Sequence, residues 1–260
     1  MKARSSLFTI FGEFVHPRGD TVWVGTIITW MEALGFSEGA VRAAVSRSCR
    51  TGWLEVQKRG RKSYFALTPE VRWRVHRAVG RLYQPLDRIW DGQWRVLTYS
   101  IPETAKEARD NLRKELLILG FGALQPGVWI SPNPLVEEAL ALAKAYRLEQ
   151  YVDVFEAAHF GRSNPELVKA TWDVPSLNQQ FEGFLEQFKL KATPENPKAA
   201  FGMYVTMLHA YRKFLFSDPD LPLELQPSAW RSREAALLFR EQRAALEPMV
   251  TEFVSHTFEN

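Results

Sequence analysis

The chain has 260 residues, of which 46% are hydrophobic and 24% are charged, so it is long enough for a sizeable core and for more than one compact unit. Charged residues interrupt every apolar segment before the roughly 18 residues that a membrane-spanning helix needs. The single cysteine, Cys49, excludes an intramolecular disulfide and a cysteine-based metal cluster. We therefore expect no membrane segment and a location in a reducing cytoplasm.

Charge is distributed unevenly along the chain. Residues 1–88 contain 15 Lys and Arg against 7 Asp and Glu, a net charge of +8. The other 18 of the 33 basic side chains and 23 of the 30 acidic ones lie in residues 89–260, which gives a net charge of −5. A positive field concentrated in the first third predicts a polyanion-binding module attached to a larger, acidic part.

The first third reads as helices with short connections. Apolar residues at helical spacing predict one helix over residues 5–15 and a second over 22–34. A third begins after Ser37, a good N-cap, and ends at Gly52, a good C-terminal cap. The gap between the second and third helices is as short as a helix-turn-helix requires.

The third predicted helix has two different faces. Its core-facing positions are Val41, Ala44, Val45, Ser48 and Cys49. The opposite face carries Arg42, Ser46, Arg47 and Arg50. Several of these side chains can meet one groove of DNA at once, and we expect them to read base edges. Which of them touches a base and which a phosphate stays open.

A basic hairpin follows this helix. Strands are predicted over residues 53–57 and 63–67, and a glycine and four cations lie between them: Lys58, Arg59, Gly60, Arg61 and Lys62. A cationic hairpin tip by itself is often only a solvated turn. Next to a basic helix, however, it has the layout of a winged helix-turn-helix, in which the hairpin cations contact phosphates.

The middle of the chain alternates strands and helices. After a helix over residues 69–83, strands are predicted over 94–101, 121–124, 127–131 and 151–158, with helices over 103–119 and 134–148. The order β-α-β-β-α-β is that of a ferredoxin-like domain.

The remainder of the chain is predicted to be mostly helical, over residues 177–190, 198–216 and 229–256. The fold class is therefore α+β and multidomain. We predict a winged-helix DNA-binding domain at 1–88, a ferredoxin-like dimerisation domain at 89–160 and a helical effector and interface domain at 161–260.

Signatures of catalysis are missing from the sequence. The five histidines occur without HxxxH or HExxH spacing, and there is no glycine-rich phosphate loop, GxSxG elbow or CxxC pair. We therefore predict a protein that is not an enzyme and that needs no metal or cofactor.

Three stretches resemble a known family. SLFTIFGEFV and WVGTIITWMEALGFSEGAVRAAVSRSCRTGWLEVQKRGRKSYFALT resemble the N-terminal winged-helix domain of the PaaX-type repressors, which regulate phenylacetic acid degradation operons. GFGALQPGVWISP looks like the central motif of that family, and HAYRKFLFSDPDLPLELQPSAW is similar to its third-domain motif. The match is specific because the three motifs occur in the expected order over nearly the whole chain.

The resemblance implies a homodimeric transcriptional repressor that binds a palindromic operator and is released by phenylacetyl-CoA. The central domain also looks like the ferredoxin-like CRISPR spacer-acquisition nucleases, which have an acidic metal ligand at the end of their first strand. Here the corresponding residue is Ser100. This departure argues against metal-dependent cleavage and favours a role in dimerisation.

The effector site is predicted from chemistry alone. An aromatic acyl group needs an apolar, aromatic-lined pocket, and the phosphates of coenzyme A need cations. The candidates for this site are Trp129, His209, Tyr211, Arg212 and Trp230. The alternative is that the aromatic residues belong to the core and the cations to the surface.

Three hypotheses of function follow. The first is a repressor whose effector changes the spacing of two recognition helices, which must lie about 34 Å apart to meet successive major grooves. The second is a metal-dependent nuclease that a winged helix targets to nucleic acid, and the third is a DNA-binding protein without an effector. The operator sequence, the regulated genes and the particular thioester cannot be read from the chain.

Overall fold

The computed structural model describes residues 1–84, 86, 88–189 and 193–258. The chain folds into two compact units, of which the first is made of Met1–Gln84, Glu186–Arg212 and Ala236–Asn260, and the second of Pro85–Leu185 and Lys213–Ala235. Residues 161–260, predicted as one C-terminal domain, are thus divided between the two units. The division into three domains stays a prediction about which segments fold independently.

The helices are, in chain order, α1 (Ala3–Ile10), α2 (Val24–Glu32), α3 (Glu38–Arg50), α4 (Pro69–Leu82), α5 (Lys106–Leu119), α6 (Val136–Ala145), α7 (Asn164–Thr171), α8 (Val174–Phe188), α9 (Pro197–Tyr211) and α10 (Ser232–Thr257). The strands are β1 (Thr21–Trp23), β2 (Leu54–Arg59), β3 (Lys62–Leu67), β4 (Trp94–Tyr99), β5 (Gly122–Gln125), β6 (Val128–Ser131) and β7 (Val152–Ala157). The fold is α+β with two small antiparallel sheets, and the α+β class predicted from the sequence is confirmed.

The sheet of the first unit has three strands in the order β1-β3-β2. The prediction of a helix from residue 22 is wrong at its start, because Val22 pairs with Phe65 and Trp23 with Tyr64. Strand β3 would otherwise have an open edge, and the sequence Thr-Val-Trp favours an extended backbone over a helical one. The third strand therefore forms at that edge, and α2 begins only after it.

Aromatic residues from distant parts of the chain form the core of the first unit. The ring of Phe14 lies 5.7 Å from that of Trp30 and 5.2 Å from that of Phe201. The indole Nε1 of Trp30 donates a hydrogen bond of 2.7 Å to Oγ1 of Thr257. Helices α9 and α10 thus complete a core that α1 and α2 begin. The rings of Trp30 and Phe201 are fully buried in it.

One polar cluster lies partly buried beside this core. Glu13 lies in a π-helical turn, Phe11–Val15, that continues α1. Its carboxylate accepts hydrogen bonds from the hydroxyl of Tyr83, at 2.6 Å, and from that of Tyr204. Arg243 of α10 donates from Nε to the hydroxyl oxygen of Tyr204 at 2.9 Å. Burial, followed by the charge of Glu13, raises the pKa of both tyrosines well above its usual range, so both hydroxyls remain protonated donors.

The sheet of the second unit has the strand order β5-β6-β4-β7, and all neighbouring strands are antiparallel. The predicted order β-α-β-β-α-β is found along the chain as β4-α5-β5-β6-α6-β7. Leu97 and Trp129 on the sheet share a buried cluster with Leu112 and Leu116 of α5 and Leu142 of α6. Helices α5 and α6 therefore cover one face of this sheet.

The opposite face of the second sheet meets residues that follow β7. Side chains alternate along a strand, so Gly122, opposite Ile130, faces away from Trp129, whose partner is Ala123. A Cβ atom built on Gly122 would lie 2.3 Å from Cγ2 of Thr171, which is far too close. Strand β5 therefore needs glycine at this position, because the end of α7 packs directly against its backbone.

Candidate nucleic-acid interface

Helix α3 presents the two faces that its sequence predicts. Ser37 accepts a hydrogen bond from the backbone N–H of Ala40 at 3.4 Å and caps the helix. Four of the predicted core residues are buried, namely Val41, Ala44, Val45 and Ser48, and Cys49 is half-buried. The four predicted DNA-binding residues, Arg42, Ser46, Arg47 and Arg50, are all exposed.

The three arginines of α3 differ in their partners. Nε of Arg42 lies 2.7 Å from Oε1 of Glu38, one turn earlier, with both side chains more than half exposed. Such a pair is screened by water and contributes little stability, so a phosphate can replace the carboxylate. Within the described part of the chain, the guanidinium groups of Arg47 and Arg50 have no ion-pair partner. Their charges are therefore available to an external anion.

The basic hairpin is tighter than the five-residue tip that its sequence predicts. Strands β2 and β3 extend until Arg59 pairs with Lys62, so that only Gly60 and Arg61 form the turn. Lys58, Arg59 and Lys62 consequently belong to the strands, where their positions are fixed by the register. Like charges opposite each other destabilise a strand pair, and an anion bound across them would remove that cost.

Aromatic rings support two of the hairpin cations. The guanidinium carbon of Arg59 lies 4.6 Å from the ring centre of Tyr64, and Nζ of Lys62 lies 4.7 Å from that of Trp23. Trp23 belongs to β1, the strand that our helix prediction missed. The run Thr21-Val22-Trp23, rich in β-branched and aromatic residues, was the available signal for it. Lys58, Arg59, Arg61 and Lys62 are all exposed, as a phosphate-binding surface requires.

The five predicted effector residues are divided between the two units. In the first unit, Nδ1 of the buried His209 lies 3.0 Å from Oγ1 of Thr9, and the ring of Tyr211 stacks on Phe239 with centres 4.0 Å apart. Arg212 donates from Nη2 to Oγ of Ser5 at 2.6 Å and to its carbonyl oxygen at 2.9 Å. Burial lowers the pKa of Arg212 to about 10.

The other two predicted effector residues belong to the second unit. Trp129 is 3% exposed and lies in the core between the sheet and its two helices. The ring of Trp230 packs edge-on against Phe181, with centres 5.2 Å apart. All five side chains thus make contacts within the chain, and their role towards an effector stays a prediction.

Ser100 follows β4 directly and is exposed. Among the described residues, there is no group of three or more His, Cys, Asp or Glu that could hold a metal ion. In the same residues, every helix is too short or too polar to cross a membrane.

Comparison with known proteins places the chain among regulators of transcription. Three sequence models of one family match it in consecutive order: the PaaX-like protein at residues 2–71, the central Cas2-like domain of the PaaX protein at 87–168, and the C-terminal domain of the PaaX-like protein at 172–256. The chain belongs to the PaaX family. Transcriptional repressor PaaX of Escherichia coli (strain K12) is 29% identical over 96% of this chain and 82% of its own length.

A solved structure shares the fold. The uncharacterized protein Rv0674 from Mycobacterium tuberculosis matches over 95% of this chain and 97% of its own, with a TM-score of 0.57 and 21% sequence identity. At this identity the likeness concerns the fold alone. The three models together cover most of the chain, so the resemblance seen in the three sequence motifs is confirmed.

Proposed function

We propose that the protein represses a phenylacetic acid catabolic operon by binding its operator, and that phenylacetyl-CoA or a related aryl- or acyl-CoA thioester releases it. The observation that carries the proposal is the exposed basic face of α3 beside the basic hairpin β2–β3 in one compact unit. Membership of the PaaX family, with its E. coli repressor, supports regulation rather than catalysis.

In this proposal, residues 1–88 are a winged helix-turn-helix. Helix α3 enters the major groove, and its side chains Arg42, Ser46, Arg47 and Arg50 contact base edges and the nearest phosphates. The hairpin is the wing and contacts phosphates through Lys58, Arg59, Arg61 and Lys62. The support is the exposure of all eight side chains together with the cap and the buried face that orient α3.

The proposal also assigns the second unit a role in pairing two copies of the chain. The strand order β5-β6-β4-β7 and the family model of a central Cas2-like domain both support the prediction of a ferredoxin-like domain. A homodimer carries two copies of α3, as a palindromic operator requires. Release then follows if the thioester binds more tightly to a dimer arrangement in which the two α3 helices cannot meet both half-sites. Equal affinity for both arrangements would leave the equilibrium between them unchanged.

A gel-shift titration tests the function. The protein is titrated into DNA from upstream of its own gene and of any phenylacetate gene cluster nearby, with and without phenylacetyl-CoA. We expect a retarded complex that the thioester dissolves and that free coenzyme A leaves intact. The absence of any retarded complex would refute the repressor proposal. A complex that persists when the thioester is added would instead identify an effector-independent DNA-binding protein. Shortening of the DNA in the presence of Mg²⁺ would favour the nuclease hypothesis.

A further inference from the structure

A cavity of about 680 Å³ lies in the first unit, beside the turn that joins α2 to α3. Its apolar wall is formed by Leu34, Phe188, Met203, Met207 and Leu246, and its polar lining includes Glu186, Gln187, Lys189 and Thr206. Small-molecule sites in proteins are mostly apolar and measure roughly 300–1,000 Å³. Both the size and the lining of this cavity therefore suit a small organic ligand.

The lining indicates the chemistry of the ligand. Met203 and Met207 offer polarisable sulfur atoms, which pack favourably against aromatic rings and adapt to their shape. Among the described residues that line the cavity, Lys189 is the single cation and Glu186 the single carboxylate, so they form no cluster of cations for a group with several phosphates. Thr206 supplies a hydroxyl that can donate to a carbonyl oxygen. An aromatic acyl group satisfies these conditions.

The same cavity shares a wall with the DNA-reading element. Ala33 and Leu34 line it, and α3 begins only four residues after Leu34. The turn is tightly bonded, because Met31 accepts backbone hydrogen bonds from Leu34 at 3.0 Å and from Phe36 at 3.1 Å. A displacement of Leu34 is therefore passed to the start of α3 and is not absorbed by a loose loop.

Helix α9 touches this turn through a glycine. A Cβ atom built on Gly202 would lie 3.0 Å from the carbonyl oxygen of Ala33, closer than ordinary packing allows. Gly202 also lines the cavity, next to Met203. At the edge of the cavity, α9 and the turn are therefore in close contact, and a shift of either one that a bound ligand causes is passed to the other.

We propose that this cavity binds the aromatic acyl group of the effector, and that its occupation moves the α2–α3 turn and with it α3. The inference rests on the proposed function, because it takes α3 as the helix that reads DNA. The residues that line the cavity include none of the five effector residues predicted from the sequence, so the two sites are alternatives that mutation separates.

Calorimetric titration tests the cavity directly, with phenylacetyl-CoA, free phenylacetate and free coenzyme A as separate probes. The first two distinguish a thioester from a free acid as the source of the aromatic acyl group. Met203→Trp should place a bulky ring in the part of the cavity next to Gly202 and weaken binding of the active probe by at least about tenfold, whereas the volume-conserving control Met203→Leu should retain it. Melting curves check the fold, and Thr206→Phe, on the same cavity wall, replaces Met203→Trp if that variant does not fold.

The coupling to α3 is tested without any ligand. Gly202→Ala should press on the carbonyl of Ala33 and weaken operator binding by about three- to tenfold, as a bound ligand would. The matched control is Gly183→Ala in α8, where no atom lies within 4 Å of the added Cβ. That control should leave operator binding unchanged. Equal operator affinity of both alanine variants and the wild type would overturn the coupling.

The outcomes separate this inference from the proposed function. If the wild type binds neither acyl probe, or if Met203→Trp binds the active probe as tightly as the wild type does, the cavity assignment is overturned. Operator binding can still support a repressor in either case. Binding of an acyl probe that Met203→Trp abolishes, in a protein that retards no DNA, supports the cavity and refutes the repressor.

Discussion

The individual cations of the DNA-binding module fall into two groups by their partners. Arg59 and Lys62 rest on aromatic rings, which fix their position before any DNA arrives. Arg47 and Arg50 extend from α3 without an ion-pair partner among the described residues. Supported charges suit the fixed geometry of a phosphate backbone, and unpartnered ones can adjust to base edges. In the proposed function, this difference favours α3 for reading the sequence and the hairpin for phosphate affinity.

Arg47→Ala tests the reading role at residue scale. We expect a loss of about 1–3 kcal/mol in operator binding and a relaxed preference at one base pair, because a bidentate contact to a base edge disappears. The measurement is a gel-shift titration on the operator and on single-base variants of it. Arg113→Ala, an exposed arginine of α5, makes the same change of charge and should leave affinity and preference unaltered. Equal losses on every sequence would mean that Arg47 contacts only phosphate.

Arg61→Ala tests the wing at the same scale. Arg61 is exposed at the two-residue turn, so its removal should weaken binding to all DNA sequences alike. The plot of log affinity against log salt should become shallower by about one unit, because one fewer counterion is released. A change in sequence preference with an unaltered salt slope would reverse the roles assigned to helix and wing.

The polar cluster around Glu13 joins separate elements of the first unit. The π-helical turn that follows α1 brings Glu13 to Tyr83 beyond the end of α4, to Tyr204 of α9, and to Arg243 of α10. The partners give the largely shielded carboxylate of Glu13 two hydrogen bonds and a nearby positive charge. The cluster therefore stabilises the association of these helices with one another within the unit.

Tyr83→Phe should lower the free energy of unfolding by about 1–3 kcal/mol, because a hydrogen bond to a partly buried carboxylate is lost. Denaturant unfolding measures it, with Tyr151→Phe as the control. The hydroxyl of Tyr151, in the second unit, has no hydrogen-bond partner among the described residues, so its loss should cost little. Similar losses in the two variants would show that the cluster contributes no special stability.

The same cluster predicts a dependence on pH. The raised pKa of Tyr83 and Tyr204 means that the folded state keeps protons which the unfolded state releases near the ordinary tyrosine value of 10.0. The stabilisation is present below about pH 10 and is lost as the pH rises beyond it. The double variant Tyr83→Phe, Tyr204→Phe should therefore show a flatter decline of unfolding free energy at alkaline pH than the wild type.

At the scale of the whole molecule, we propose different roles for the two compact units. The first contains the basic helix and hairpin together with the cavity beside the α2–α3 turn. The second contains the four-stranded sheet, and to this unit we assign the pairing of two chains as part of the proposal. Helix α9 belongs to the same compact unit as α3 and the basic hairpin although it is far from them in sequence, so a change in α9 can act on α3 within one unit.

Altered operators test the proposed dimer. Two recognition helices meet successive major grooves about 34 Å apart, which is one turn of DNA. Inserting about 5 base pairs between the half-sites places them on opposite faces of the duplex and should remove the gain from the second half-site, whereas an insertion of about 10 should place them on one face again. Footprinting measures both. Protection that is insensitive to a 5-base-pair insertion would favour a protein bound as independent monomers.

The sequence alone determined the local features of this protein. Helix α3, its Ser37 cap, its two faces and the order β-α-β-β-α-β follow from spacing, capping residues and turn signals, all of which act over a few residues. The three family motifs can also be recognised from the sequence alone. Tertiary structure decided what depends on distant neighbours. Trp23 is a strand residue because it pairs with the edge of β3, and Glu13 accepts two hydrogen bonds because Tyr83, which follows α4, and Tyr204 of α9 both reach it.

The cavity beside α3 is also a feature that tertiary structure decides. Its lining comes from residues 33–34, 186–189, 202–207 and 246, which no local pattern connects. The five effector residues were predicted from the types of side chain that an acyl-CoA needs. The contacts of His209, Tyr211 and Arg212 depend on α1, which supplies Thr9 and Ser5, and on α10, which supplies Phe239. Spacing and capping depend on neighbours within a turn or two, whereas a pocket depends on how separate helices pack. For this reason the sequence predicted the exposed basic face of α3 and the basic hairpin but not this cavity.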